Sequence, residues 1–575
     1  MSTNISKKKR EDLLAKIKEI RTFISAAPQD ENTGNLLSYL SDLEKDVNGK
    51  KYGLIFEEHR EEIDEVLDTH TPVLTEDKDL FIDHGGRMNF LIEGDNLASL
   101  KLLEKTHRGT IDLIYIDPPY NTGNKDFVYD DCFVDKNDLF SHSKWLSFMK
   151  QRLTIARGLL TKRGAVFISI DDNEQAQLKV LCDEVFGSEN FVTCLIWAAG
   201  RKNDSKYISV SHEYMLCYVK SMEYLKNNKI IWKQQKQGIE DIYKEYELLK
   251  KKYGTDYKAM SAELKNWYKN LPENHPAKNH SHYNWIDETG IYFPSDISWP
   301  GGGGPKYEVL HPVTNKPVRI PNRGWVYPTK ERMLEIISQN LVHFGDDETS
   351  VPCKKTYLAD NETSTPYSVF YKDGRAATKR LRAIMGENVF QNPKDEEILE
   401  SIIEFSALKD SIVLDFFAGS GTTGHAVMRA NAEDDGNRRF ILCTNNENGI
   451  CREVTYERIK RVIDKEGYAA SLKYYRVDYI PISERMYYEY ADELLAHIRE
   501  LVELENGVNF TGNAEIGIVL TEEELDEFIA NVNAFAECHK LYMGHGLLPS
   551  EEQEELLRTH GIEISIIPDY YYRDL

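Results

Sequence analysis

SIVLDFFAGSGTTGHAVMRAN, Ser411 to Asn431, passes from an apolar stretch through a glycine-rich turn into a helical pattern. IVLDFF has the uniform apolarity of a strand buried on both faces, as in a parallel sheet. Gly419 and Gly421 stand where the chain must turn tightly, because glycine enters left-handed conformations without steric cost. The helix beginning near Thr422 offers N–H groups that lack intrahelical partners, a natural place for a polar ligand. RRFILCTNNEN, Arg438 to Asn448, reads as the next strand and its exit. In such folds an acid at that exit commonly holds ribose hydroxyls; Glu447 is the candidate and Asn445 its rival. The G-x-x-x-x-G-K-[ST] phosphate loop is absent, which disfavours ATP.

A second apolar stretch ends in another way. DLIYIDPPYNTG, Asp112 to Gly123, stops a strand with a carboxylate, two prolines and an aromatic ring. Asp117 therefore lies at the carboxyl edge of the sheet, where open α/β folds place ligands. Pro118 and Pro119 fix their own φ, and Pro119 restricts Pro118, so the corner is stiff and its carbonyls can face a cleft. A carboxylate and a nearby carbonyl are two acceptors suited to an exocyclic amino group. Tyr120 adds a face for stacking a planar base. The nitrogen of such an amino group is a poor nucleophile because its lone pair is delocalised into the ring. Two acceptors can pull it toward tetrahedral geometry and aim the lone pair at an electrophile, so the corner suits N-alkylation.

Around these two stretches, NFLIEGDN and GAVFISIDDN are further apolar runs with polar exits, and LASLKLLEKT and LKVLCDEVFG are helical in pattern. Strands alternating with helices predict a parallel sheet with crossovers. Residues 1–78 (LLAKIKEIRTFI, LLSYLSDLEKDV, EEIDEVLDTH) predict an amphipathic helical region or dimerising arm. Residues 79–200 hold the first α/β block and 386–479 the second. The intervening 201–385 differs in texture, with 29 Lys and Arg against 22 Asp and Glu, a net charge of +7. The segment 481–575 is the reverse, with 5 basic against 21 acidic residues. A basic insert and an acidic 480–575 domain suggest separate partners.

The chain has 575 residues, is 41% hydrophobic and carries a formal charge of -24, so it can build several cores and does not simply coat nucleic acid. Its eight cysteines form no C-x-x-C pair, which points to reduced thiols and to neither a metal site nor a disulfide framework. MSTNISKKKRED leads straight into charged helical sequence without the apolar core of a signal peptide, and no run suits a membrane span; a cytoplasmic location is expected.

DPPYNTG and DFFAGSGTTGHAV together resemble the amino-methylating DNA methyltransferases that use S-adenosylmethionine. Their order, with a long insert between, resembles the permuted β class. IEGDNLASLKLL, GAVFISIDDNEQAQLKVLCDEVFGSENFV and FQNPKDEEILESII are similar to the Mod subunits of type III restriction–modification systems, with matching segments from about Gly94 to Arg461. The resemblance implies a permuted Rossmann-like methyltransferase core with an inserted α+β target-recognition domain (201–385), a helical N-terminal arm and a small acidic C-terminal domain as subunit interface. It implies that Asp117, Pro118, Pro119 and Tyr120 grip and stack the target base. Asp415, Phe417, Ala418, Gly419, Gly421, Thr422 and Thr423 would form the cofactor pocket, with Asp95 near the adenine, Asn392, Pro393 and Lys394 leading into the cofactor strand, and Glu447 as the weakest match. An Asp at the first motif position is associated with adenine N6. The implied partners are double-stranded DNA, a second copy in a homodimer and a Res helicase–nuclease subunit, with no membrane. The rivals are a solitary DNA methyltransferase, a non-catalytic specificity subunit, and the same chemistry on RNA or a protein glutamine, which the permuted order and basic insert disfavour.

Four features have plainer readings. Asp171 and Asp172 in SIDDNE are expected to cap the next helix rather than hold a metal. KEYELLKKKY suits DNA phosphates or a solvated face equally. Gly301 to Gly304 predict a flexible connection or a place where backbone meets DNA. Trp299, Tyr307, Trp325 and Tyr327 are expected to form the small core of the insert.

Overall fold

In the computed structural model, structure is described for residues 5–26, 36–37, 39–41, 43–44, 56–85, 87–123, 128–129, 132–135, 137–198, 206–482, 494–511 and 513–568. The expected helix in LLSYLSDLEKDV lies partly outside them, as do the first five residues of the expected insert. The chain forms two compact units, one of residues 1–229 with 368–575 and one of residues 230–367.

The first unit is organised by a ten-stranded sheet. In chain order its strands are β1 (His70–Glu76), β2 (Met88–Glu93), β3 (Ile111–Ile116), β4 (Leu160–Ile170), β5 (Phe191–Ala198), β6 (His212–Val219), β7 (Val369–Tyr371), β8 (Ile412–Asp415), β9 (Arg439–Thr444) and β10 (Ser471–Pro481). The spatial order is β1-β10-β2-β9-β8-β3-β4-β6-β5-β7. The run from β10 through β4 is parallel, and β1 and β6 join antiparallel. Phe90, Leu91, Ile92, Leu113, Ile114, Val413, Leu414 and Leu442 are buried, as strands covered on both faces require. This is the α/β core that the alternating pattern predicts, and the order of its motif strands is the permuted one.

Several boundaries differ from the sequence expectation. HTPVLTE, within the segment expected to be helical, is strand β1: Pro72 bars a helix, and Val73 and Leu74 are buried against β10. The separate unit is narrower than 201–385. β6 belongs to the first sheet: it pairs with β4 and β5, and its residues Met215 to Val219 are buried there. β7 likewise adds to β5 in parallel, and the helix Gly374–Met385 packs on the helix Glu457–Glu466. The acidic C-terminal segment stays within the first unit. Its helix Ile498–Asn506 buries Ile498, Leu501, Val502 and Leu504, and Glu503 accepts from the buried Lys473 ammonium (2.6 Å) and the Tyr475 hydroxyl (2.8 Å) on β10. Beyond it, Ile516–Val519, Lys540–Met543 and Glu563–Ile566 form a three-stranded parallel sheet with its own small core.

The second unit is α+β, the class expected of the insert. Helices Ile239–Tyr253 and Tyr257–Asn270 pack through Ile242, Leu249, Met260 and Leu264 beside a four-stranded antiparallel sheet. Trp325 is fully buried with Tyr307 stacked near it and Tyr327 packed alongside, while Trp299 is only half-buried. Gly301 to Gly303 are left-handed, but the segment is tied back: Gly304 N donates to Arg323 O, and a Cβ on Gly324 would lie 2.1 Å from Gly304 O. Gly304 is thus packed, whereas a Cβ on Gly301, Gly302 or Gly303 would meet nothing within 4 Å. Among the described residues, no helix is long and apolar enough to cross a membrane.

Candidate active site

Chain direction divides between β8 and β3. From β8 the chain crosses through the helix Thr422–Asp434 to β9 on one side; from β3 it crosses through the helix Ser141–Leu159 to β4 on the other. That divergence is a topological switch point, where open α/β sheets leave a crevice at the carboxyl ends of their strands. Both motifs stand there. Asp415 ends β8 and Asp117 follows β3, while Asp95 and Glu447 leave the neighbouring β2 and β9.

The glycine turn is braced from within. Asp415 Oδ1 accepts from Phe417 N (2.9 Å) and Oδ2 from the Thr423 hydroxyl (2.5 Å). Ala418 N donates to Cys443 O on β9, and Gly421 N to Ala418 O. Gly421 is left-handed, at φ +73°, and caps the helix that starts at Thr422. Below the turn, the buried Arg458 guanidinium donates to Ser420 O (3.3 Å) and Thr422 Oγ1 (2.8 Å) and reaches Glu396 (3.6 Å). The side chains of Asp415, Thr422 and Thr423 therefore serve the turn itself. What remains toward the crevice is backbone from Phe417 to Gly421, with Phe390 near Gly419.

Asp95 also works locally: it caps the helix Asn96–Thr106, accepting from Leu97 N (2.7 Å) and Ala98 N (3.2 Å), and its second oxygen is 3.7 Å from Arg152. Glu447 and Asn445 are exposed beyond β9, whereas Asn446 accepts from Cys451 N and Arg452 N. Asn392 is exposed and left-handed, and Pro393 is buried. The expected capping by the SIDDNE acids is not seen. Asp171 accepts from Asn173, Asp172 accepts from Tyr214, and Glu174 occupies the N-cap position.

The DPPY corner is a tight polar cluster. Pro119 O accepts from the indole of buried Trp145 (2.7 Å), so this carbonyl anchors the corner instead of facing a cleft. Asn121, left-handed at φ +57°, donates to Glu174 Oε1 (2.6 Å), which also contacts His142 (2.6 Å). Tyr120 hydroxyl donates to Asp117 Oδ1 (2.9 Å) and Glu213 Oε2 (3.2 Å). Lys394, grouped by sequence with the cofactor segment, brings its ammonium to the corner, 3.2 Å from Asp117 Oδ1 and 2.5 Å from Glu213 Oε2.

Two carboxylates and one ammonium share this half-buried space. Burial lifts the Asp117 carboxyl above the usual range, against the pull of Lys394 and with the push of Glu213. Burial works against the Lys394 ammonium, yet Asp117 and Glu213 outweigh it and raise its pKa. Burial, with a smaller contribution from Asp117, lifts Asp415 to about 7.

Residues 111–457 match a family of DNA methylases, well over half of the chain. The chain belongs to the DNA methylase family. Its relatives include the Mod subunit of the type III restriction–modification enzyme EcoP15I of Escherichia coli, 35% identical over 61% of this chain and 58% of that subunit. The StyLTI Mod subunit of Salmonella typhimurium is 34% identical over 66% of this chain and 57% of its own length. The type II methyltransferase M.KpnI of Klebsiella pneumoniae is 31% identical over 61% of this chain and 79% of its own length. The chain thus spans less than three fifths of the Mod subunits it matches.

Sequence reasoning about this DNA methylase missed Glu213 and Arg458. Glu213 had one faint signal, a carboxylate beginning an otherwise apolar strand (HEYMLCYV). Arg458 had none, since a helix reading EVTYERIKRVID gives no hint that its first arginine is buried.

Proposed function

We propose that the chain is a site-specific DNA adenine-N6 methyltransferase dependent on S-adenosylmethionine, serving as modification and specificity subunit of a type III restriction–modification system. One observation carries this reading: the amino-gripping corner and the glycine turn leave adjacent parallel strands at the switch point. The carboxyl edge also fits the cofactor chemically. Backbone from Phe417 to Gly421 can approach it closely, and Glu447 and Asp95 are acids for ribose hydroxyls or the adenine edge.

When bound, the cofactor supplies an electrophilic methyl group. Asp117 accepts from the target amino group and orients its lone pair. Tyr120 stacks the base, and Trp145 keeps the corner rigid through Pro119. The base must leave the duplex to reach this corner, since N6 is otherwise engaged in pairing. The insert 201–385, with its net charge of +7, reads the sequence and holds phosphates. A homodimer, a Res helicase–nuclease partner and a cytoplasmic location complete the reading.

A second reading is a solitary methyltransferase. It is suggested by the likeness of 61% of the chain to M.KpnI, which is named a type II methyltransferase and not a Mod subunit. Methylome sequencing of a host expressing the chain tests the chemistry: a defined N6-methyladenine motif should be present, and absent with Asp117→Ala. Wild type that binds S-adenosylmethionine yet modifies no adenine would refute the substrate. Co-purification of a Res-type helicase from the native host separates the two readings.

A further inference from the structure

Lys394 meets both features of the corner that would recognise a base. Its ammonium lies 3.2 Å from Asp117 Oδ1, the acceptor for an amino group. The same ammonium donates to the Tyr120 hydroxyl, at the rim of the ring on which a base would stack, and lies 5.7 Å from the centroid of the Trp197 ring. An ammonium and an exocyclic amino group are alike in presenting N–H donors. Tyr120 and Lys394 both address Asp117 Oδ1, so an entering amino group competes with Lys394 for that oxygen.

Glu213 already holds the ammonium on its other side. Its Oε2 is 2.5 Å from Lys394 Nζ, a shorter contact than the one to Asp117, and its side chain is 34% exposed. A lysine stem has four rotatable bonds, enough to leave Asp117 while staying on Glu213. Leaving Lys394 on Asp117 during methyl transfer would weaken the acceptor that must polarise the amine.

We propose that Lys394 competes with the substrate's amino group for Asp117, and that Glu213 keeps its ammonium when a base enters. Both are positioning residues acting through Asp117. The proposal rests on the methyltransferase reading above. A corner that is free only part of the time lowers apparent affinity for the base by that fraction.

The experiment uses the full chain with sinefungin and a duplex carrying the methylome-defined site, its target adenine placed opposite an abasic position. The control duplex replaces that adenine with purine, which lacks the amino group. The ratio of the two dissociation constants reads the amino contact alone. Lys394→Met should raise the preference for adenine over purine by about tenfold, and Glu213→Gln should lower it by about tenfold. The double variant should match Lys394→Met. Purely structural roles would shift both duplexes together. A lowered preference in Lys394→Met would make Lys394 a direct base contact and overturn the proposal; so would two unchanged ratios. If Lys394→Met does not fold, the sign of Glu213→Gln decides. Failure of the underlying reading shows separately, as a wild type with no methylated adenine or no preference for adenine over purine, and the proposal falls with it.

Discussion

Ile114 of β3 and Leu414 of β8 pair across neighbouring parallel strands, although 300 positions separate them in the chain. The register brings the ends of the two strands, Ile116 and Asp415, to one edge, so the glycine turn and the DPPY corner share one rim of the sheet. A cofactor held by the first can then face a base held by the second, which is the proximity that converts two bound reactants into one unimolecular event.

Asp117→Ala should cut methyl transfer by about a hundredfold or more, because it removes a preorganised acceptor from the reacting group. Cofactor affinity should stay within about twofold, a margin of a few tenths of a kcal/mol. Single-turnover transfer and calorimetric titration with S-adenosylmethionine check the two halves.

Gly421→Ala and Gly109→Ala form a matched pair. Both glycines are left-handed, at φ +73° and +72°, so each substitution should cost about 1–2 kcal/mol. At Gly421 the new Cβ also lies 3.2 Å from Thr455 Cγ2, whereas nothing lies within 4 Å at Gly109. Urea unfolding should therefore show the larger loss for Gly421→Ala, and only that variant should lose cofactor affinity.

Asp415 should leave a signature in stability against pH. Burial raises its folded pKa to about 7, while the unfolded value is the ordinary one near 4. The folded state thus holds a proton that the unfolded state has lost between about pH 4 and 7. Its contribution is fully present below about pH 4 and lost as pH rises through about 7. Asp415→Asn should flatten that part of the profile, as measured by urea unfolding at a series of pH values.

Arg458→Met should destabilise by about 1–3 kcal/mol, since it unpins Ser420 and Thr422 and removes one of two guanidinium groups beside the buried Glu396, whose Oε1 keeps Arg380. Lysine should rescue little, because a single ammonium cannot span the guanidinium's separate partners. Urea denaturation of the three proteins decides.

Much of the sheet is legible in sequence because parallel strands are buried on both faces. LIYI, IVLDFF and RFIL need no alternation to be recognised, and their polar exits mark the edge where ligands bind. The limits of the insert were not legible in the same way. β6 and β7 are placed by which edge of the sheet remained open, and no local pattern encodes that choice. Asp171 illustrates a smaller failure: its carboxylate found Asn173 two residues on, a turn that competes with capping for the same atoms.

Sequence alone determined the two motifs, their order and the chemistry each permits, since glycine φ, proline stiffness and an aspartate at a strand end act within a few residues. Tertiary structure decided what surrounds Asp117. Lys394 reaches it from a segment assigned to the cofactor side and Glu213 from a strand assigned to the insert, and only folding sets Asp117 and Glu213 within 3.2 Å and 2.5 Å of one ammonium. The physical reason is burial: charges brought together out of water must find partners, and those partners are chosen by the sheet, not by neighbours in the chain.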